Sequence, residues 1–560
     1  MTDAAVGRVR ARARAMLIVL ALLHVWAARF TISPDGLAYL DLADGWGESV
    51  DSVLTNAYWS PAYPFVLGVA LSTLVPTPAW ESMLVRTVDF GFFVAALLTF
   101  ELFWSTALGT FRRGLVPIEE RSDEPSAWAL GYALFGASCL ALTNVVETTP
   151  DLFSAIWIFL AAAITLRLLR SPGLATMRAG IGLGWVLGAG YLTKLALLGP
   201  GLVVLGLLAT VRRTRKTALG GVLGLAMLIA PWALMLFVEH ARPTLGEAGR
   251  LNLAWYVLGE GGGQHWRGDG AVHPTRLLHI DPPVNGFAEP IAGTYPPWLD
   301  PVYWHEGLAL RFDPAAHLRI TVHHLGVLAE GWLLPHGLLW IAVLALARHG
   351  HRHRDHLGLI VIAIVAAAGY LLVHVELRFF GPWAVLLAAG LLGTHLGGTR
   401  PSRSFRRWVT VAVLGAMVPV AWTTATLVSK QRDAVVDPSF TAHADLGIAD
   451  GLRSVGLRRE DRIAVVGYPM DAYWARLAKA RIVADVFARS DRPDGTAAVE
   501  RFWSVDDATR DAVFSAMAAE GAAWVVTRRR DVPPSVDPVK TGWQAIDGTD
   551  AFVRRLDADR

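Results

Sequence analysis

The sequence predicts a polytopic α-helical membrane protein of about eleven transmembrane helices, with a small extracytoplasmic α/β domain at its C-terminus. Of its 560 residues, 53% are hydrophobic and only 18% are charged, whereas soluble domains carry about 25% charged residues. Apolar runs recur from residue 15 to residue 428, and Lys and Arg collect in alternate connections between them. Residues 431–560 instead have the composition of a soluble domain. These observations argue against a soluble enzyme, and the formal net charge of +3 is too small to suggest a nucleic-acid partner.

Apolar runs of about 14 to 26 residues define the spans, since a helix needs roughly 20 residues to cross a bilayer. We place the spans at 15–32, 83–108, 128–145, 152–169, 179–192, 195–211, 219–238, 322–347, 357–373, 379–396 and 409–428. The first span follows a basic stretch, and we interpret it as an uncleaved anchor rather than a signal peptide.

The run 179–211 is too long for one crossing and short for two, and it has a lysine in its middle. We interpret it as a tight hairpin with Thr193 and Lys194 at the turn. The alternative is a single tilted helix whose lysine extends its charged end to the membrane surface.

The segment 61–75 is apolar but short, and the distribution of Lys and Arg decides its placement. Cytoplasmic loops collect these cations. If 61–75 lies in the interface without crossing, one side of the membrane receives six segments with three or four cations each, namely 8–14, 112–121, 167–178, 212–216, 348–354 and 400–407. We therefore expect a multi-pass protein of the inner (plasma) membrane with a cytoplasmic N-terminus and an extracytoplasmic C-terminus.

This topology gives a transmembrane catalytic domain over 1–430, with large external loops at 31–82 and 239–321, and a soluble domain over 431–560. In the soluble domain the sequence predicts an alternation of strands (462–467, 481–486, 522–527) and helices (470–479, 507–519), which is typical of a small α/β domain. No GxGxxG pattern follows the first strand, so we assign no nucleotide site. The loop 239–321 is rich in Trp and Tyr, which suit a membrane interface or stack on sugar rings.

The first external loop contains several carboxylates, of which Asp35 is the first after the membrane span. A carboxylate at the outer mouth of a helical bundle is well placed to act as a general base. Tyr39 follows four residues later and would share a helical face with it, as a substrate contact. The alternative is a solvated acidic loop, and we expect that of the remaining acidic residues, Asp41, Asp44, Glu48 and Asp51.

A second pair of carboxylates, Glu147 and Asp151, lies in the short external turn between the third and fourth spans. Asp151 would fall in the first turn of a helix, where a negative charge is favourable for the helix dipole alone. The turn opens on the same face as Asp35, however, so the two acidic sites are placed to share a substrate or a metal. Asp151 is therefore the second candidate for a catalytic carboxylate, and Glu147 for a substrate contact.

Two cations, Lys194 and Arg378, lie on the outer side, each alone in a short turn between two spans. A lipid-linked phosphate lies at this depth, and Arg and Lys are the residues that bind phosphate oxygens. The alternative is an internal ion pair, of Arg378 with Glu376 or of Lys194 with another carboxylate. A base together with a phosphate clamp is what glycosyl transfer from a polyprenyl-phosphate sugar requires.

At these residues the chain resembles the C-type (GT-C) glycosyltransferases, in particular the protein O-mannosyltransferase and lipid-A aminoarabinose transferase group. Four local features carry the resemblance, in this order: SPDGLAYL after the first span, YWSPAYPFVLG entering an interfacial helix, GAGYLTK ending a Gly-rich helix, and ELRFFGPWAVLL opening a late span. The resemblance implies that Asp35 is the catalytic base and that Lys194 and Arg378 lie near the lipid phosphate. These families usually have an acidic residue after the catalytic Asp, and Gly36 in that place argues against a metal there.

The resemblance implies a mannosyltransferase-like enzyme of the cell envelope, a hexosyl- or pentosyltransferase. It would take a polyprenyl-phosphate-linked sugar as donor and a lipid, glycan or protein as acceptor, among membrane lipids and without nucleic acid. No cofactor is required, and a divalent cation stays open. The alternative is a lipid or sugar transporter or flippase, although transporters tend to show inverted repeats and ionisable residues in mid-membrane, and we find neither in the sequence.

Overall fold

The computed structural model describes residues 2–48, 53–112, 124–260, 265–268, 270–287, 292–348, 354–393, 403–439, 441–488 and 497–556. Two of the predicted cationic segments, 112–121 and 348–354, lie largely outside these residues, and so do the first three residues of 400–407. Within them the chain is mostly helical up to Val436 and continues into a domain built around a β-sheet.

The helices before the terminal domain are α1 Thr2–Ala27, α2 Pro34–Glu48, α3 Ala62–Leu74, α4 Pro78–Arg112, α5 Glu124–Gly136, α6 Asp151–Arg170, α7 Met177–Thr193, α8 Leu198–Thr210, α9 Arg215–His240, α10 Ala248–Asn252, α11 Pro296–Leu299, α12 Pro301–Trp304, α13 Pro314–Leu328, α14 Gly337–Ala347, α15 Arg354–Leu371, α16 Gly381–Leu392, α17 Arg403–Lys430 and α18 Arg432–Val436. Three π-helical segments interrupt or follow them, Ala137–Leu142, Leu253–Leu258 and Ala329–Leu333.

Among the described residues, five helices are long and apolar enough to cross a membrane, namely α4, α5 with its π-helical continuation, α6, α9 and α17. Shorter apolar helices, such as α3, α8 and α16, accompany them. The predicted span 322–347 is not one straight helix, because the chain bends by 90° between Leu333 and Gly337, where Pro335 cannot continue a helical hydrogen-bond ladder. A helical membrane architecture therefore stands, and the number of eleven crossings stays a prediction.

The chain breaks at Lys194, as the hairpin interpretation requires. Helix α7 ends at Thr193, Lys194 takes an extended conformation with φ −153° and ψ 117°, and α8 begins at Leu198. An extended residue cannot lie inside a helix. The alternative of a single tilted helix through this run is therefore wrong.

Glycines bring α7 and α9 into backbone contact and so fix where Lys194 emerges. A methyl group built on Gly184 would lie 2.3 Å from the carbonyl oxygen of Gly221, and one on Gly180 would lie 2.1 Å from that of Thr217. Small residues are the usual means by which membrane helices approach closely. The Gly-rich sequence of α7 thus positions its own C-terminal end.

The terminal domain contains α19 Ala444–Ser454, α20 Tyr473–Ala478, α21 Ala498–Ser504 and α22 Asp507–Ala519 around a seven-stranded sheet. Its strands are β1 Arg276–Ile280, β2 Pro283–Gly286, β3 Arg462–Gly467, β4 Arg481–Phe487, β5 Trp524–Arg528, β6 Gln544–Ala545 and β7 Ala551–Arg555, in the order β1-β2-β4-β3-β5-β7-β6. The three central strands, β4, β3 and β5, are parallel.

Two strands of this sheet, β1 and β2, come from the external loop 239–321 rather than from the last 130 residues. Strand β2 pairs with β4 in antiparallel register, with Asn285 opposite Asp485. A buried apolar cluster also continues from α2 through this loop into the sheet, and includes Leu37, Trp298 and Ile482. The sheet and this cluster join the terminal domain to the outer end of the helical part.

Candidate active site

Helix α2 begins with its catalytic candidate in the first turn. Pro34 suits the first helical position because it has no N–H to leave unpaired. The Ser33 hydroxyl accepts a hydrogen bond from the Gly36 N–H at 3.2 Å and so caps the helix. Asp35, next in the chain, has 26% of its side chain exposed to solvent.

Helix α6 begins in a similar way at Asp151, directly after Pro150. The Thr149 hydroxyl donates a hydrogen bond of 2.9 Å to Asp151 Oδ2. Lys194 forms an ion pair with Asp151 Oδ1 and also lies 3.6 Å above the ring of Phe379. Asp151 is nearly fully buried, so this lysine is fixed between a carboxylate and an aromatic face.

Arg378 is at the centre of the site. Its Nη2 lies 2.7 Å from Asp35 Oδ2, and its Nε lies 2.6 Å from Glu376 Oε2 and 3.5 Å from Asp151 Oδ2. Three carboxylates therefore surround one guanidinium, which is itself only 13% exposed. The backbone is held as well, because the Thr143 hydroxyl donates a 3.0 Å hydrogen bond to the Arg378 carbonyl.

All three π-helical segments contact the turn that carries Arg378. The first, Ala137–Leu142, packs so closely on Gly381 that a methyl group there would lie 2.6 Å from the Ser138 carbonyl oxygen. The second carries Tyr256, whose ring stacks on His374 at 3.8 Å, and Gly331 of the third packs against Leu377. Single-turn π segments occur frequently at functional sites, and here they set the position of one short turn.

The structure brings five of the seven sequence-predicted site residues into one ion-pair cluster, composed of Asp35, Asp151, Lys194, Glu376 and Arg378. Tyr39 lies beside it, buried against the rings of Trp59 and Tyr63 with centroid distances of 4.8 and 5.0 Å. Burial, together with the Asp35 and Asp151 charges, raises the pKa of Tyr39, so its phenol stays neutral.

Glu147 is half-buried and makes no ion pair with another residue in the described part of the chain. Burial raises the pKa of Glu147 despite the positive charges of Arg378 and Arg86. Glu147 lies near the ion-pair cluster but pairs with none of its members, so the geometry does not support a direct substrate contact.

Sequence reasoning missed the two contacts that hold Glu376 in place, namely its hydrogen bond with His374 and the stacking of Tyr256 on His374. His374 Nε2 lies 3.1 Å from Glu376 Oε1, and the exposed ring of Tyr256 covers His374. Burial raises the pKa of Glu376, but the His374 hydrogen bond and the Arg378 charge outweigh it and bring the pKa down to about 2. The segment HVELRFF contained the signal for His374, whereas nothing in the sequence connects Tyr256 to it.

The acidic residues of the first loop are a correction to the sequence-based expectation. Asp41 is buried, with 5% of its side chain exposed, and together with Asp44 it forms an ion pair with Arg476 of the terminal domain. The expectation of a solvated residue is therefore wrong for Asp41, because its partner lies more than 430 residues later in the chain. Asp44 is 53% exposed and is solvated as expected, although it also pairs with Arg476. The side chain of Glu48 and all of Asp51 lie outside the described residues.

No group of three or more His, Cys, Asp or Glu side chains in the described ranges is arranged to hold a metal ion. In the site cluster the carboxylates converge on the Arg378 guanidinium and the Lys194 ammonium. What the residues present support directly is the binding of an anionic group by these two cations.

A small apolar cavity of about 30 Å³ lies in the helical part. It lies between α6, α7, α8, α15 and α16, and its lining includes Trp157, Leu197 and Trp383. Trp157 Nε1 donates a 2.9 Å hydrogen bond to Thr193, the residue before Lys194. One residue of the cavity lining, Trp157, thus contacts the residue before Lys194.

No protein-family model matches the sequence, and no curated protein matches it either. Over 97% of its length, however, the chain aligns in structure with 98% of ArnT from Cupriavidus metallidurans, crystallised with undecaprenyl phosphate, at a TM-score of 0.51 and 13% sequence identity. ArnT is a lipid-A aminoarabinose transferase of the GT-C type. The chain has a GT-C fold.

A second GT-C structure resembles the chain at 12% identity, that of the Archaeoglobus fulgidus oligosaccharyltransferase tethered to an acceptor peptide with an NVT sequon. The alignment covers 92% of this chain and 69% of that one, with a TM-score of 0.47. The GT-C fold agrees with the resemblance seen in the sequence motifs.

Proposed function

We propose that this GT-C chain is an integral-membrane glycosyltransferase that moves a hexose or pentose from a polyprenyl-phosphate donor to an acceptor hydroxyl at the outer face of the plasma membrane. The acceptor is a lipid, a glycan or a protein. The observation that carries the proposal is the pair of largely buried cations, Lys194 and Arg378, in one ion-pair cluster with Asp35 and Asp151.

The donor phosphate fits between the two cations. Both contact Asp151, so a single anionic group near this carboxylate reaches Lys194 and Arg378 together. Leu197, three residues after Lys194, belongs to an apolar lining shared with Trp157 and Trp383, and we propose that the first part of a polyprenyl chain packs on this side of the site. That ArnT was crystallised with undecaprenyl phosphate supports a donor of this class.

The charge balance of the cluster indicates how the donor enters. With Asp35, Asp151 and Glu376 ionised against two cations, the cluster carries one excess negative charge, so an incoming phosphate must displace a carboxylate from Arg378. Asp151 is held by Thr149 and Lys194, whereas Asp35 is partly exposed and, among the described residues, has Arg378 as its one ion-pair partner. Displacement of Asp35 by the phosphate would leave its carboxylate free to accept a proton.

The transfer then follows from the positions of these groups. Asp35 accepts the proton of the acceptor hydroxyl, and the hydroxyl oxygen forms a bond to the anomeric carbon of the sugar. The bond between that carbon and the phosphate oxygen breaks, and its electron pair leaves with the polyprenyl phosphate. Arg378 and Lys194 stabilise the charge that develops on the phosphate. Glu376, with its pKa near 2, is a poor base beside Asp35, and Asp151 remains the second candidate.

The clamp is tested on purified protein in lipid nanodiscs with labelled polyprenyl-phosphate hexose and pentose donors. We expect release of polyprenyl phosphate from one of them, and Arg378→Ala should weaken donor binding by about 1.5–3 kcal/mol, the value of a hydrogen bond to a charged group. Arg378→Lys should restore only part of it, because a lysine lacks the planar fork.

Arg510→Ala serves as the control, since Arg510 is a buried arginine of the terminal domain paired with Asp507. Unchanged donor affinity in Arg378→Ala would assign Arg378 to an internal ion pair and would contradict the proposed clamp.

A further inference from the structure

We propose that Arg476 of the terminal domain is a positioning residue for the transfer, which holds α2 and thereby Asp35 in place. The activity test of this proposal rests on the proposed function. The structural argument for it rests on the geometry of one buried junction. That junction joins the terminal domain, the outer end of α4 and helix α2.

All three nitrogen atoms of the Arg476 side chain are used in this junction. Nη1 donates hydrogen bonds to Asp41 at 2.9 Å and to Asp44 at 2.8 Å, Nη2 donates to Asp44 and Glu81 at 3.0 Å, and Nε donates to Glu81 at 3.0 Å. Tyr473, on the same helix α20, donates to Glu81 at 3.1 Å. The arginine is only 8% exposed, so solvent does little to screen these contacts.

Asp41 links the junction to the second external loop. Its Oδ2 accepts the Thr294 N–H at 2.7 Å, and its Oδ1 accepts the Thr294 hydroxyl at 2.9 Å. From the same loop, Trp298 Nε1 donates a 3.1 Å hydrogen bond to the Pro34 carbonyl, one residue before Asp35. Helix α2 is therefore held on both sides of Asp35 by parts of the chain that lie outside the helical bundle.

A helix transmits a displacement from Asp41 to Asp35 because the two residues are six positions apart, about 9 Å along the axis. Without Arg476, three carboxylates would face one another, and two of them belong to α2. The repulsion between these carboxylates, together with their tendency to become hydrated, would move the helix. Misplacement of a reacting group by about 1 Å can cost on the order of 10²-fold in rate.

The cations that hold the donor are not part of this junction, since Lys194 follows α7 and Arg378 precedes α16. A positioning role consequently predicts a split between turnover and donor binding. In Arg476→Met we expect kcat at saturating donor to fall about 10-fold to 100-fold, with the donor Kd within about twofold of the wild type. Arg476→Lys should recover part of the turnover, since an ammonium can contact two of the three carboxylates.

The second readout does not depend on activity. Hydrogen exchange of the α2 backbone amides should be faster in Arg476→Met than in the wild type, and intermediate in Arg476→Lys. Arg510→Met is the matched control, because it removes another buried, ion-paired arginine of the terminal domain without touching α2. Asp44→Asn, at the more exposed edge of the junction, provides a milder variant if Arg476→Met does not fold, and should show the same split to a smaller extent.

Unchanged exchange in α2 together with unchanged kcat would overturn the proposal, and so would an equal loss of donor affinity and turnover. If the wild type releases no polyprenyl phosphate from any donor, the proposed function fails. The exchange measurement still decides whether Arg476 holds α2.

Discussion

At the scale of single residues, Asp35 and Arg378 hold each other by an ion pair. The guanidinium contacts the carboxylates of Asp35 and Glu376 at 2.7 and 2.6 Å, so a phosphate that binds Arg378 has to replace one of them. In the proposed mechanism the donor replaces Asp35, and the binding of the donor is thereby coupled to the release of the base.

The variant Asp35→Asn tests whether the donor phosphate replaces Asp35 at Arg378. An asparagine keeps the size of the side chain but cannot accept a proton at neutral pH, so release of polyprenyl phosphate should fall by about 10²–10⁴-fold. Donor affinity should stay the same or rise, because the phosphate no longer competes with a carboxylate for Arg378. Turnover in nanodiscs and equilibrium binding of the donor measure the two effects.

The control for this prediction is Asp450→Asn, an exposed aspartate of the terminal domain that should have no effect. Near-normal release in Asp35→Asn, with loss of release in Asp151→Asn, would place the base on α6 instead.

Glu376 gives a pH-dependent prediction. Its pKa in the folded protein is about 2, against an ordinary value of 4.5, so the ionised form stabilises the fold. This contribution is complete above about pH 4.5 and is lost as the pH falls towards 2. The melting temperature of the wild type should therefore drop more steeply between pH 4.5 and 2.5 than that of Glu376→Gln, in detergent-solubilised protein. Parallel curves for the two proteins would contradict the prediction, and Glu500→Gln, at an exposed glutamate, should follow the wild type.

At the scale of secondary-structure elements, the sequence predicts what depends on local pattern. Strand β3 has the predicted bounds 462–467 and helix α22 the predicted bounds 507–519, because alternation and capping are properties of neighbouring residues. The β1–β2 hairpin is not predicted from the sequence, since the strand that β2 joins, β4, lies about 200 residues away. The π-helical segments were also missed, because a one-residue widening of a helix leaves no clear mark in hydrophobic periodicity.

We expect the glycine contact between α7 and α9 to control the position of Lys194. Gly184→Ala would place a methyl group 2.3 Å from a backbone carbonyl oxygen, so the two helices must separate. Overpacking of this kind typically costs about 1–3 kcal/mol, and the displaced end of α7 should weaken donor binding. Thermal unfolding and donor Kd measure the two consequences.

Gly182→Ala is the matched control on the same helix, because a methyl group there meets nothing within 4 Å. Equal behaviour of the two variants would show that the contact between α7 and α9 is not close in the membrane.

At the scale of the whole molecule, the sequence predicts which residues of the candidate site lie on the same face, because that depends on topology alone. The positive-inside distribution assigns Asp35, Asp151, Lys194 and Arg378 to loops on one face, and the structure has them in contact. The partner of Asp41 could not be predicted in this way, because Arg476 lies in a different domain and its sequence surroundings are those of an ordinary surface helix. Contacts between distant parts of a chain depend on packing rather than on any local pattern.

The topology itself is a testable prediction. With 61–75 in the interface and eleven crossings, the chain after residue 430 is extracytoplasmic, since this arrangement places the cationic segments on one side. An alkaline phosphatase fusion at residue 430 should be active, and a green fluorescent protein fusion at the same position should be dark. A fluorescent fusion would contradict the eleven-span topology and would place the terminal domain opposite to the predicted side.

The sheet shared by the second external loop and the terminal domain has a consequence for biosynthesis. Asn285 leaves the ribosome 200 residues before its partner Asp485, which at 5–20 residues per second is an interval of about 10–40 s. Throughout that interval strand β2 has an unpaired edge, and unpaired strand edges favour aggregation. A nonsense mutation shortly before β4 would make this transient exposure permanent. The nascent loop should consequently be a client of chaperones in the compartment that receives it until the last domain is translocated.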